Sequence, residues 1–83
     1  MNREELKVVL DRECIDPSIY SLYGQAGGPY DDRLILEQDR TIWTVYYIER
    51  GEKSQIHFFE TEHEACEYLL NRLLRNPTTR LRI

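Results

Sequence analysis

"TIWTVYYIERGEKSQIHFFE", residues 41–60, decides how the chain folds. Two runs rich in β-branched and aromatic residues flank a charged turn containing Gly51, the pattern of an antiparallel hairpin. Neighbours in a strand point to opposite faces, so one of Tyr46 and Tyr47 faces a core and the other does not. Setting Glu49 opposite Ser54, across Arg50-Gly51-Glu52-Lys53, pairs Tyr47 with Ile56, Val45 with Phe58 and Trp43 with Glu60. The preceding run "RLILEQ" (33–38) reaches 41–49 through Asp39-Arg40. With Gln38 opposite Thr41, Leu36 meets Trp43 and Leu34 meets Val45. Both hairpins then put Leu34, Leu36, Trp43, Val45, Tyr47, Ile56 and Phe58 on one face. A slip of one residue would turn either set over, so their agreement marks this face as the expected core. Tyr47 faces in.

Two helices flank the strands. In "NREELKVVLDREC" (2–14), Asn2 and Glu5 have capping-box spacing, and Leu6, Val9, Leu10 and Cys14 recur at helical spacing. Asp16-Pro17 is the expected stop, because a residue before proline leaves the α region. In "TEHEACEYLLNRLLRN" (61–76), Thr61 and Glu64 repeat the capping spacing. Cys66, Leu69, Leu70 and Leu73 form the apolar stripe, and Asn76-Pro77 ends it. "SIYSLYG" (18–24) reads as a short strand or extended segment, and "GQAGGPYDD" (24–32) as a loop. The expected fold is a single α+β domain over residues 1–83. It has a small antiparallel sheet of three to four strands, N- and C-terminal helices on one face, and a basic tail at 77–83.

Tyr46 then lies on the far face with Arg33, Ile35, Glu37, Ile42, Thr44, Ile48, Gln55, His57 and Phe59. This set is too apolar for a plain solvated surface and marks an interface or a covered face. A partner, the 18–32 segment and a second copy are the three coverings open at this point.

Composition narrows the function. The chain has 83 residues, 31% charged and 41% apolar, as in a soluble globular domain. No apolar run approaches a membrane span and "MNREELK" lacks a signal-peptide core, so a cytoplasmic protein is expected. Cys14 and Cys66 lie on the predicted apolar helix faces and are expected to be reduced core residues rather than a disulfide, which fits that expectation. Residues 1–71 carry all 15 acidic side chains and 7 of the 11 basic ones, a balance of −8, and residues 72–83 carry +4. An acidic body repels nucleic acid and suits a basic partner. Chemistry is not expected: His57 and His63 lie near no nucleophile motif, and Asp31-Asp32 reads as a solvated or partner-facing turn. "GQAGG" lacks phosphate-loop spacing, and the cysteines and histidines lack zinc spacing. No metal or cofactor is expected.

In order, "YSLYG" (20–24), an "ILE" strand, "WTVYYIERGEK" (43–53) and "ETEHEACEYLLNRLL" (60–74) together resemble small bacterial immunity proteins encoded beside polymorphic or contact-dependent growth inhibition toxins. The resemblance covers roughly residues 5–74 and rests on Trp43, Glu49-Arg50-Gly51 and Glu64-Ala65-Cys66-Glu67-Tyr68. It implies a cytoplasmic, non-catalytic inhibitor that blocks a cognate toxin domain, often a nuclease with a basic groove. The basic tail departs from this picture. Against such a groove the expected contacts are Tyr46, His57 and Phe59 as anchors, with Tyr30, Asp31 and Asp32 from the loop and Glu49 and Glu52 from the turn. The competing reading is a small regulatory or adaptor domain that homodimerises or binds a housekeeping protein. A minor enzyme or nucleic-acid module is the third.

Overall fold

The computed structural model describes residues 1–24 and 32–76. Helix α1 spans Arg3–Arg12, a 3₁₀ turn spans Pro17–Ile19, and strand β1 is Tyr20–Ser21. Strands β2 (Arg33–Asp39), β3 (Ile42–Glu49) and β4 (Glu52–Phe59) lead into helix α2 (Glu62–Arg75). The expected α+β architecture is present, with one refinement. The sheet runs β1-β2-β3-β4, and β1 lies parallel to β2, so the sheet is mixed rather than wholly antiparallel. Residues 22–32 between β1 and β2 are enough chain to return for a parallel pairing, which a tight turn is not.

Local chemistry explains the helix ends. Asn2 Oδ1 accepts from the Glu5 amide at 2.8 Å, and Glu5 Oε1 accepts from the Asn2 amide at 3.0 Å, a complete capping box. At α2, Thr61 Oγ1 accepts from the Glu64 amide at 3.2 Å and its hydroxyl donates to Glu64 Oε1 at 3.0 Å. Helix α1 ends earlier than Asp16-Pro17. Cys14 takes φ 58°, its amide donates to the Asp11 carbonyl, and the Ile15 amide donates to the Leu10 carbonyl. These two bonds are a Schellman cap, and the apolar contact that accompanies one is available between buried Ile15 and Leu10. Asp16 instead caps the 3₁₀ turn, its side chain accepting from the Ser18 amide.

A left-handed cysteine is strained where glycine would not be. Cys14→Gly is therefore expected to raise stability by about 1 kcal/mol, measured as a shift of the urea midpoint at constant slope. A lower midpoint would mean that the packing of this half-buried thiol outweighs its backbone strain. Cys14 and Cys66 are free, as expected.

Leu6 and Leu10 of α1 and Ala65, Cys66, Leu69, Leu70 and Leu73 of α2 pack onto Tyr20, Leu22, Leu34, Leu36, Trp43 and Val45 in one core. Both helices therefore cover the same sheet face. Strands β2 and β3 pair Leu36 with Val45 and Leu34 with Tyr47, two residues out of the expected register. An even slip preserves the face, so the β2 and β3 assignments survive.

Strand β4 does not follow. Its hairpin is tighter than expected, with Glu49 opposite Glu52 across Arg50 (φ 52°) and Gly51 (φ 82°), two left-handed residues as in a type I′ turn. A β-bulge then falls between the Tyr47–Ser54 and Val45–His57 pairs, with Gln55 at φ 52°. The extra residue turns the far half of β4 over. His57 and Phe59 lie on the helix side opposite Val45 and Trp43, and Ile56 and Phe58 lie on the far side. Ile56 and Phe58 are thus not core residues, being 45% and 70% exposed.

Candidate partner interface

The side of the sheet away from the helices has two parts. Ile35, Tyr46 and Ile48 form a small buried cluster. Tyr46 is only 1% exposed, so it is a core residue of that face and not an outward anchor. Its hydroxyl donates to Glu37 Oε2 at 3.2 Å, and Lys53 Nζ lies 4.7 Å from its ring centroid. Burial first, then the Glu37 carboxylate, pushes its hydroxyl up to about 12. Of the three coverings, the chain itself supplies this one.

The other part stays open. Phe58 stands beside Thr44, which pairs in turn with Glu37, while Ile42 pairs with Asp39 at the Arg40–Thr41 turn. Phe58, Ile56 and Ile42, the last 40% exposed, form an apolar strip with Glu37 and Asp39 in the neighbouring strand. An exposed apolar strip flanked by carboxylates has the anatomy of an interface, apolar at its centre and charged at its rim.

His57 and Phe59 serve a different purpose. Their rings pack on Tyr68 of α2, with centroids 4.8 and 5.3 Å away. Arg72 reaches from the next turn to the Tyr68 hydroxyl at 3.4 Å and to Gln55 Oε1. The bulge thus presents Gln55 to α2, and the pair His57–Phe59 seats the helix on the edge strand. Neither is a far-face anchor as expected, although His57 remains exposed.

The expected acidic residues are partly assembled. Glu49 and Glu52 face each other, exposed, at the β3–β4 turn. Asp32 is exposed just before β2, at the same end of the sheet. Tyr47 reports all of this: burial first, then Asp32, then Glu49, raise its hydroxyl above the ordinary value. A groove of about 250 Å³ opens there, lined by Ile19, Asp32, Leu34, Tyr47, Arg72 and Leu73 among others. Tyr30, Asp31 and the 77–83 tail lie outside the described residues.

At the opposite end Arg3 joins four elements. Its amide donates to Glu62 Oε2 at 2.9 Å, its Nη1 donates to the Leu22 carbonyl at 3.3 Å, and its guanidinium lies over Trp43 and Tyr23. This is structural work, because every partner is in the chain itself.

Among the described residues no group of three or more His, Cys, Asp or Glu is placed to hold a metal, and no helix is long and apolar enough to cross a membrane. Cys66 is fully buried, and burial pushes its thiol up to about 11, away from thiolate chemistry. No protein-family model, curated protein or solved structure matches the chain.

Proposed function

We propose that the chain is a non-catalytic cytoplasmic inhibitor that binds a cognate bacterial toxin domain, a nuclease with a basic groove, and covers its active site. The observation that supports this most is the open strip Ile42–Ile56–Phe58 on a chain of net charge −4. Apolar groups at the centre would exclude water, while carboxylates at the rim would guide a basic partner into place. Asp32, Glu49 and Glu52 supply a second acidic contact at the far end of the sheet, and Asp31 adjoins it in sequence. Phe58 takes the anchor role first expected of Tyr46. The resemblance to immunity proteins supports the same reading.

The test is co-expression with the toxin domain encoded by the adjacent gene, read as growth rescue and as co-purification. Rate measurements then locate the surface. Phe58→Glu should speed dissociation by tenfold or more, about 1.4 kcal/mol. Asp32→Asn with Glu49→Gln and Glu52→Gln should slow association and flatten its salt dependence. Absence of both rescue and binding refutes the inhibitor reading. Rescue with unchanged rates in every variant moves the interface to the helices.

A further inference from the structure

Strand β4 ends the sheet, and no described strand pairs with its outer edge. Edges of this kind are templates for another strand unless something blunts them. Here the blunting is one-sided. Lys53 and the bulge at Gln55 protect the first half of β4, while Ile56–Phe59 runs straight along an edge that no described strand pairs, with Ile56 and Phe58 exposed. We propose that this half-strand pairs antiparallel with the same half-strand of a second copy, about a two-fold axis at His57.

The register follows from the side chains. An axis perpendicular to the joined sheet keeps each face continuous, so facing residues must share a face and the axis must pass through a residue. Centred on His57, the pairing sets Ile56 against Phe58 twice, apolar on apolar. Centred on Phe58, it would set Ile56 against Glu60 twice and leave an apolar group facing a carboxylate. The first register also sets no carboxylate against another: beside the two Ile56–Phe58 pairs His57 meets its own copy, and the bulge at Gln55 ends the regular pairing. Edge pairing does not cover the sheet faces. It brings the two Ile42–Ile56–Phe58 strips side by side on one joined face, and it holds whether or not a toxin binds there.

So few paired residues make a small interface, and the dimer is a weak one. Sedimentation equilibrium of the full chain from about 10 μM to 1 mM should show reversible monomer–dimer exchange. His57→Cys should give an intermolecular disulfide between the two introduced thiols under mild oxidation, because directly opposed residues bring their Cα atoms within disulfide reach. Val8→Cys, exposed on α1, should not cross-link. His57→Glu should weaken the dimer at least tenfold by opposing two carboxylates, whereas His57→Gln should leave it intact. Position 57 is exposed but its ring rests on Tyr68, so each variant is checked for unchanged circular dichroism, and His57→Gln, which loses the same ring contact without adding a charge, separates the lost packing from the opposed carboxylates. A chain that stays monomeric throughout the range overturns the proposal. So does a dimer that ignores His57→Glu, or cross-links no better at position 57 than at position 8. Toxin binding, whose anchor Phe58 lies on the opposite side of the sheet from His57 and whose acidic residues Asp32, Glu49 and Glu52 lie at the other end of the strands, is read separately in the same His57→Glu variant.

Discussion

Tyr46→Ala should destabilise the domain by about 3–5 kcal/mol, the cost of removing a large buried ring. The ring is 1% exposed and, with Ile35 and Ile48, makes up the buried apolar cluster of the far face among the described residues. Truncation would empty that cluster, uncouple Lys53 and leave Glu37 without its phenol partner. Tyr46→Phe keeps the ring and should cost only about 1 kcal/mol. Alkaline unfolding provides an independent check. The folded hydroxyl holds its proton up to about 12, against an ordinary value of 10. Above pH 10 the unfolded chain has released a proton that the folded chain keeps, so deprotonation favours unfolding. This contribution is complete below pH 10 and is lost as pH rises towards 12. Buried Cys66, raised from 9 to about 11, acts in the same direction beginning one unit lower. Stability curves of the wild type and Tyr46→Phe should therefore converge above pH 10. Curves that stay parallel to pH 12 would show that the phenol is not held as described.

Trp43→Ala should be similarly severe, about 3–5 kcal/mol. A domain of this size has about 4–12 kcal/mol in all, so the variant should populate unfolded forms at modest urea concentrations. Trp43 is 8% exposed in the main core, directly opposite Phe59 on β4 and Gln38 on β2, with the Arg3 guanidinium 4.9 Å from its ring. Its loss opens the floor beneath α2 and removes one of the two rings that hold Arg3. In the wild type, the indole should emit at the short wavelengths of a buried ring and be quenched little by iodide. A loss below 1 kcal/mol would mean that the helices close over the gap.

The sequence was most legible where chemistry is local. Asn2 with Glu5, Thr61 with Glu64, and Asn76 before Pro77 each act within a turn of their own position, and α2 has its expected extent. The inward face of β2 and β3 was also legible, because an error of two residues leaves a period-two pattern unchanged. Strand β4 was misread for one residue's conformation. Left-handed bulge positions favour glycine, and Gln55 carries no such signal. Everything beyond it, including the exchange of Ile56 and Phe58 for His57 and Phe59, follows from that single extra residue. Cys14 hid the end of α1 in the same way, as a left-handed cap without glycine. The burial of Tyr46 was hidden for another reason, since it depends on how a chain closes over its own second face. The candidate interface inherits these errors. Of the expected contacts, Asp32, Glu49 and Glu52 are exposed at one end of the sheet, whereas Tyr46 is buried and Phe58 is the exposed aromatic ring of the far face.

The contact between Arg3 and Glu62 joins segments almost 60 residues apart, and it bears on how the chain is made. Synthesis delivers α1 first and α2 after every strand. Until α2 has emerged, Leu6 and Leu10 lack the surface they pack against, and the inward faces of β2 and β3 lie open to water. The domain therefore cannot fold piecemeal from its beginning, as larger chains do domain by domain. A nascent chain halted just after Phe59 would present a finished sheet with one bare apolar side and a free edge, its most adhesive moment. Halting about 15 residues later, once Leu73 is available, should remove that hazard, so aggregation of arrested chains should fall sharply between the two lengths.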